Sequence, residues 1–358
     1  MKNNDNLLQN YNYYVPNELI AQIPVEKRDN SKLIVLNRQS LGITHHNFSD
    51  ITKMLGANDL LVINTTKVVP ARLYGKKKTG GKVELLFLNP AMRGARHRVL
   101  MKPYVKHGEK IYFEDNYECV VEQTDDPSNK TVIFNNDDIS PLLEKHGFMP
   151  LPPYIKRKDD LAQKLSHIDR ERYQTVYADE KGAIAAPTAG LHFTKEILNE
   201  LKNKKVEIAG ITLHVGWGTF KTIENEDIST HKMLDEKYII DEFNAKKINT
   251  ALSSGKRIIA VGTTTVRTLE SVANITGVYD GNKLSSIKAS SGRTDIFIHP
   301  GYSFKIVNSM ITNLHLPCST PLIMASAFAG RNFILEAYKE AVEKKYRFFS
   351  YGDSMFII

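Results

Sequence analysis

The sequence predicts an α/β protein in two parts: a main body of alternating strands and helices carrying an inserted small antiparallel β-barrel. Three observations predict it. Apolar strand-like runs and helix starts recur on both sides of residues 69–151. Within that stretch, short β-rich runs are separated by Gly, Pro, Asn and Asp clusters. The length of 358 residues exceeds one average domain of about 150. The body is therefore assigned to residues 1–68 and 152–358, and the barrel to 69–151.

The elements follow in order. Asn12 to Arg38 reads as a turn, a short helix begun by Pro16, and a strand at Leu33 to Leu36. Asp59 to Asn64 is a second apolar strand. The barrel strands are expected at Ala71 to Tyr74, Val83 to Leu88, Val99 to Met101, Lys110 to Phe113, Glu118 to Glu122 and Thr131 to Phe134. Pro150 to Pro153 marks a boundary. Thr194 is a plausible N-cap for a helix over Lys195 to Lys202. Val206 to Val215 is a strand, and Asp241 to Ser254 a helix closed by Gly255. Arg257 to Val261 is a strand, followed by Gly262-Thr263-Thr264 and a helix from Val266. Asn332 to Tyr346 is an amphipathic helix, with Phe333, Ala337 and Ala341 at i, i+4 spacing.

Composition excludes several classes. At 42% hydrophobic and 25% charged the chain matches an ordinary globular protein. Its 15 Phe and 16 Tyr are too much apolar surface for general disorder. The best apolar run, Pro321 to Gly330, falls short of the ~20 residues that span a bilayer. Met1 to Asn6 is polar and shows no signal peptide, so a cytoplasmic location is expected. Cys119 and Cys318 lie too far apart in sequence for a close zinc-ligand pair, and no HExxH occurs, so no metal is expected.

The formal charge is +8, which favours an anionic partner. It is unevenly spread. Lys67 to His107 holds 11 Lys and Arg against one acid, Glu84, whereas Glu109 to Asp138 holds nine acids against Lys110 and Lys130. Either a basic face or a solvated lysine-rich surface would account for this.

No P-loop, no GxGxxG after a strand and no GxSxG is present. Chemistry is concentrated instead in Gly, Thr and His clusters at element ends. In Ala185 to Thr194, a turn around Thr188 and Gly190 brings backbone N–H groups near a ligand, and His192 is either a proton carrier or a packed turn histidine. In Leu213 to Phe220, Gly216 and Gly218 flank Trp217, which either stacks on a base or fills a core. Val261 to Glu270 leads a strand through Gly262, Thr263 and Thr264 into a helix start suited to an anion, with Arg267 one turn on. His315, near Pro317, either touches a ligand or bonds to the backbone. The tail Tyr346 to Asp353 places Arg347 among aromatics, to grip RNA or to pin a terminal strand.

Together these segments resemble the S-adenosylmethionine:tRNA ribosyltransferase-isomerase family of queuosine biosynthesis. The resemblance runs nearly end to end. It includes Pro16 to Gln22, Arg28-Asp29, Asn64 to Arg72, Thr79 to Glu84 and Tyr173 to Tyr177. It continues through the AAPTAGLHFT, LHVGxGTF, AVGTTxVRTLE, FIxPGYxFK, TNxHLP, SAFAG and YRFFSYGD blocks. Three positions depart from the family pattern: Leu234 stands where a second His is frequent, Asn308 for Asp, and Leu314 for Phe.

The resemblance implies transfer and isomerisation of the ribosyl part of S-adenosylmethionine onto 7-aminomethyl-7-deazaguanine at the tRNA wobble position. The product is epoxyqueuosine-tRNA, with adenine and methionine released. The sulfonium donor is a substrate, and no prosthetic group is implied. The partner is the modified tRNA, met by a monomer. A sulfonium acidifies neighbouring C–H bonds, so a base at the ribose 5′ carbon would start loss of adenine. An acid would help adenine leave, and the attacking amine must be neutral. The expected proton-transfer groups are His192 and His214, with Glu236 or Asp353 as a carboxylate beside the amine or sulfonium. Arg267, Thr263 and Thr264 are expected to hold the methionine carboxylate or a tRNA phosphate. Thr188, Gly190, Gly216, Gly218, Gly262 and His315 complete the substrate contacts, and Lys76, Lys77, Lys78, Lys82 and Arg347 the tRNA contacts. Two rivals remain: a methyltransferase and a non-catalytic RNA-binding module.

Overall fold

The computed structural model describes residues 4–90, 93–122, 130–157, 159–220 and 223–358. The 123–129 part of the acidic run and the side chains of Thr219 and Phe220 lie outside the described residues.

The body is built on a nine-stranded sheet. In spatial order its strands are Ser290–Thr294, Glu236–Ile240, Glu207–Leu213, Asp59–Asn64, Arg257–Val261, Ser309–Asn313, Ser354–Ile357, Lys32–Asn37 and Gly42–Asn47. The four from Glu207–Leu213 to Ser309–Asn313 are parallel. Their order of appearance in the chain is 2-1-3-4, so direction of travel reverses at Asp59–Asn64, beside Arg257–Val261. Open parallel sheets bind ligands beyond the strand carboxyl ends at such a reversal.

Period-two alternation explains the layers. Leu60 and Val62 face one way, packing with Ile248, Leu269, Ile323 and Ile334. These come from helices Glu242–Ser253, Thr263–Thr276, Thr320–Ala329 and Arg331–Glu343. Leu61 and Ile63 face the other way, against Phe48, Ile51 and the Ile197–Leu201 stripe of helix Lys195–Asn203. Thr194 caps that last helix by accepting from Ile197 N at 3.2 Å, as its sequence position predicts.

The inserted barrel is closed. Its six strands are Arg72–Lys77, Lys82–Phe87, Arg96–Lys102, Lys110–Tyr112, Glu118–Glu122 and Lys130–Phe134, each overlapping its expected run. Alternate residues such as Leu73, Leu85, Val99, Val121 and Val132 fill its interior. Trp217, partly buried, packs against the apolar cluster of the barrel. The charge blocks meet across the barrel. Arg96 pairs with Glu122 and Lys77 with Glu109, while Lys110 pairs with Glu118 inside the acidic block and Lys145, beyond it, with Asp115.

Boundaries differ in two places. The helix expected from Val266 begins at Thr263. Three β-branched threonines read as a turn, yet Thr265 and Thr268 satisfy their hydroxyls on the carbonyls of Val261 and Thr264, four residues back. After Pro16 the chain makes only the 3-10 turn Asn17–Leu19. Among the described residues, no helix is long and apolar enough to cross a membrane.

Candidate active site

A cavity of about 230 Å³ opens where the parallel strands end. Gly262, Thr263 and Thr264 enter it from the end of Arg257–Val261, Asn313 and His315 from the end of Ser309–Asn313, and Val215 from beyond Leu213. The Ala185 to Ala189 turn forms another wall. Asn64, last residue of the central strand, ties these ends together. Its Nδ2 donates to Leu213 O and Thr264 Oγ1, both at 3.1 Å, and its Oδ1 accepts from Leu213 N at 3.0 Å.

Two helices start at the cavity, Thr263–Thr276 and Thr320–Ala329. Gly262 is the N-cap of the first, at φ +88°, and offers no side-chain cap. Gly262 N donates to Ile311 O and Thr265 N to Gly262 O, which leaves the N–H groups of Thr263 and Thr264 for a ligand, and the helix dipole favours an anionic one. Ser319 caps the second helix. The remaining wall is aromatic and hydroxylic: Tyr154, Tyr173, Phe349 and Ser350. Tyr154 Oη and Ser350 Oγ are 2.6 Å apart. Phe349 sits at φ +72° and Cys318 at φ +53°, left-handed conformations costly for side chains of this kind.

Among the described residues, this wall holds no carboxylate, lysine or arginine; its one imidazole is His315. His315 Nε2 hydrogen-bonds Thr312 Oγ1 at 2.7 Å, and its backbone N donates to Tyr338 Oη. Burial pulls its pKa down to about 3, so the ring is neutral.

The expected contacts Thr188, Gly262, Thr263, Thr264 and His315 thus come together. The four expected acid–base groups do not. His192 lies behind the wall, with Nδ1 2.8 Å from Ser31 Oγ and Nε2 3.1 Å from Asn313 Nδ2. Burial first, then the Arg28 and Arg347 charges, hold its pKa down to about 3. Asn313 lines the cavity and its Oδ1 accepts from Thr188 Oγ1 at 2.8 Å, so His192 reaches the cavity only through Asn313. His214 bonds Thr66 Oγ1 at 2.9 Å and packs its ring on Gly182; burial, then Lys237, lowers its pKa.

Glu236 forms a buried ion pair with Arg267 and also accepts from Gly216 N at 2.8 Å. Arg267 is therefore taken up by Glu236 and by the carbonyls of Ile296 and Thr294, rather than left open for a substrate anion. Asp353 accepts from the backbone N of Lys32 and of Arg347, each at 2.8 Å, tying the tail to the first strand. Burial raises its pKa against those bonds.

Two of the expected glycines serve packing. A Cβ on Gly190 would meet Tyr177 Oη at 2.0 Å, and one on Gly218 would meet Leu234 Cβ at 3.0 Å. Gly216 instead supplies its N–H to Glu236. Arg347 donates to Ile23 O. Lys76 and Lys82 face each other across one barrel hairpin whose turn carries Lys78; Lys77 is paired with Glu109. Residues that sequence reasoning did not select are Asn64, Tyr154, Asn313 and Phe349. Asn64 and Asn313 lie inside the matching blocks, which was the available signal.

The family described as queuosine biosynthesis protein matches residues 8–357. A protein of Thermosipho melanesiensis named S-adenosylmethionine:tRNA ribosyltransferase-isomerase is 47% identical over 352 residues, 98% of this chain and 99% of the relative. One of the same name from Caldanaerobacter subterraneus subsp. tengcongensis is 49% identical, covering 96% of this chain and 97% of the relative. The crystal structure of S-adenosylmethionine tRNA ribosyltransferase from Thermotoga maritima matches with a TM-score of 0.54 and 34% identity. That match covers 98% of this chain and 100% of the other. The chain belongs to the queuosine biosynthesis protein family, whose relatives bear the name S-adenosylmethionine:tRNA ribosyltransferase-isomerase.

Proposed function

We propose that this chain transfers and isomerises the ribosyl moiety of S-adenosylmethionine onto 7-aminomethyl-7-deazaguanine at the tRNA wobble position, releasing adenine and methionine. The observation that carries the reading is a relationship of 47% identity over 98% of the chain to a protein named for that reaction. The cavity at the strand reversal is where we place the sulfonium substrate. Its methionine carboxylate would meet the N–H groups at the start of Thr263–Thr276, with the Thr263 and Thr264 hydroxyls beside them. The low-polarity aromatic wall suits adenine and excludes water from the reacting carbons.

His315 is the imidazole that lines this cavity, and, its ring being neutral, we assign it the proton-accepting part of the role first expected of His192 and His214. His192 becomes a positioning residue, acting through Asn313 on Thr188. Glu236 and Arg267 brace the floor, and Asp353 fixes the tail that carries Phe349. Residues 69–151 act as a unit that presents Lys76, Lys78 and Lys82 to tRNA. The chain works in the cytoplasm as a monomer, with no resident metal.

Product analysis tests the reading. Purified protein given S-adenosylmethionine and tRNA bearing the aminomethyl base should release free adenine and methionine. S-adenosylhomocysteine in their place would mean methyl transfer, and no product would leave RNA binding alone.

A further inference from the structure

The Gln22 to Arg28 segment runs beside the turn that carries Ser350 to Gly352. Guanidinium groups hold its carbonyls. Arg157 donates to Gln22 O at 2.9 Å, Arg347 to Ile23 O, and Arg172 to Val25 O at 2.7 Å and Glu26 O at 3.0 Å. Arg28 in turn donates to Glu171 O at 2.9 Å and Leu191 O at 3.1 Å. Arg157 has a carboxylate, Asp169, at 2.8 Å. Among the described residues, no carboxylate lies within ion-pairing distance of Arg28 or Arg172. Asp353, the acid nearest Arg347, gives both oxygens to backbone N–H groups.

This leaves two guanidiniums lining one cleft with no carboxylate bonded to either, Glu171 acting on Arg28 only from a distance. Burial, then the Arg172 charge, makes Arg28 harder to keep protonated than an ordinary arginine. Arg172 Nε is buried and makes no hydrogen bond. Between the two lies a cleft of about 20 Å³, walled by Pro24, His192 and Tyr351. That volume admits one oxygen-sized group. Ser350 lines both this cleft and the large cavity, so the two are separated by one residue.

We propose that the Arg28–Arg172 cleft receives an anionic oxygen of a phosphodiester in the tRNA anticodon arm, setting the register of the wobble nucleotide over the cavity. The inference rests on the tRNA reading above and deepens it. The terminal nitrogens of both arginines are held by carbonyls, which fixes the two charges at the cleft, and the unpartnered Arg172 Nε is the donor that a bound phosphate oxygen would satisfy. Phosphate contacts position a nucleic acid without reading its sequence. Inorganic phosphate offers the same chemistry, so the test must separate the two sources.

The test compares tRNA binding by the wild type and Arg172→Gln between about 50 and 200 mM salt. Losing one phosphate contact should make the slope of log K against log salt shallower by roughly 0.7–0.9 in the variant. An unchanged slope in a folded variant overturns the proposal. If inorganic phosphate then raises the Tm of the wild type above chloride of equal ionic strength, and not that of the variant, the cleft is a free-anion site instead. Arg172 also staples the loop, so a second measurement uses wild-type protein. Anticodon-arm RNAs with single neutral methylphosphonates should show one position that loses the same increment; no such position overturns the proposal. Failure of ribosyl transfer itself would show as absent adenine release and leave both binding measurements readable.

Discussion

The amide of Asn313 donates from Nδ2 to Nε2 of His192 across 3.1 Å. This fixes the tautomer: His192 carries its proton on Nδ1 and donates to Ser31 Oγ, which donates on to Arg28 O. A ring so held is neutral, and its position at the back of the wall makes it a strut. The fold also refuses it a second proton, since its pKa falls from 6.5 to about 3. The unfolded chain accepts that proton below about 6.5. Stability therefore drops as pH falls from about 6.5 towards 3, by roughly 1.4 kcal/mol per pH unit for this group. His192→Gln should lose this share of the slope. Denaturant melts of both proteins at pH 7 and about pH 5 check it, because the other titrating groups cancel in the difference. Parallel pH dependences would contradict the burial of a neutral ring.

Glu236 and Arg267 are each about as buried as a core leucine, with side chains 4% and 6% exposed. Removing one partner strands the other charge. Glu236→Gln or Arg267→Met should each destabilise the fold by about 3–5 kcal/mol. The double replacement Glu236→Leu with Arg267→Met should recover much of the loss, as judged by chemical denaturation. Full stability of the single variants would return Arg267 to the list of free anion ligands.

The extent to which sequence disclosed all this depended on the kind of interaction. The barrel was legible because Val83, Leu85 and Phe87 alternate with residues facing out, a period that survives in any register. The helix at Lys195 was legible from one cap residue. The fate of Arg267 was not, since Glu236 lies 31 positions away and meets it only once its strand and the helix carrying Arg267 are brought together. The same holds for the charge blocks, where Lys77 and Glu109 are distant in sequence but adjacent across strands. Phe349 reached the cavity through a left-handed turn that no propensity favours for phenylalanine.

Gly190 and Tyr177 form a second pair that can be tested together. An alanine Cβ at 190 would stand 2.0 Å from Tyr177 Oη, an oxygen that is buried and makes no hydrogen bond. Gly190→Ala should therefore cost about 1–3 kcal/mol through overpacking. Tyr177→Phe removes an unsatisfied oxygen and should be nearly neutral or stabilising. In the double variant the clash with Oη is gone but Thr175 Cγ2, at 2.8 Å from the added Cβ, remains, so the Tm should recover only part of the Gly190→Ala loss. Strict additivity of the two losses would show that the clash is elsewhere.

The barrel hairpin gives a prediction for tRNA. Lys76 and Lys78 are exposed, whereas Lys77 reaches Glu109 at 3.5 Å. Lys76→Ala with Lys78→Ala should weaken tRNA binding and reduce its salt slope by roughly 0.7–0.9 for each lost contact. Lys77→Ala alone should change the slope less. Equal slopes in the wild type and the double variant would mean these lysines are only solvated.

His315 carries the central claim, that the cavity at the strand ends is where ribosyl transfer takes place. The direct measurement is single-turnover adenine release by His315→Gln, with S-adenosylmethionine binding and thermal stability recorded on the same preparation. Loss of a proton-transfer group should slow release by about 10²–10⁴-fold. Substrate binding should weaken far less, and the Tm should stay near that of the wild type. A folded His315→Gln protein that releases adenine at the wild-type rate would contradict the account.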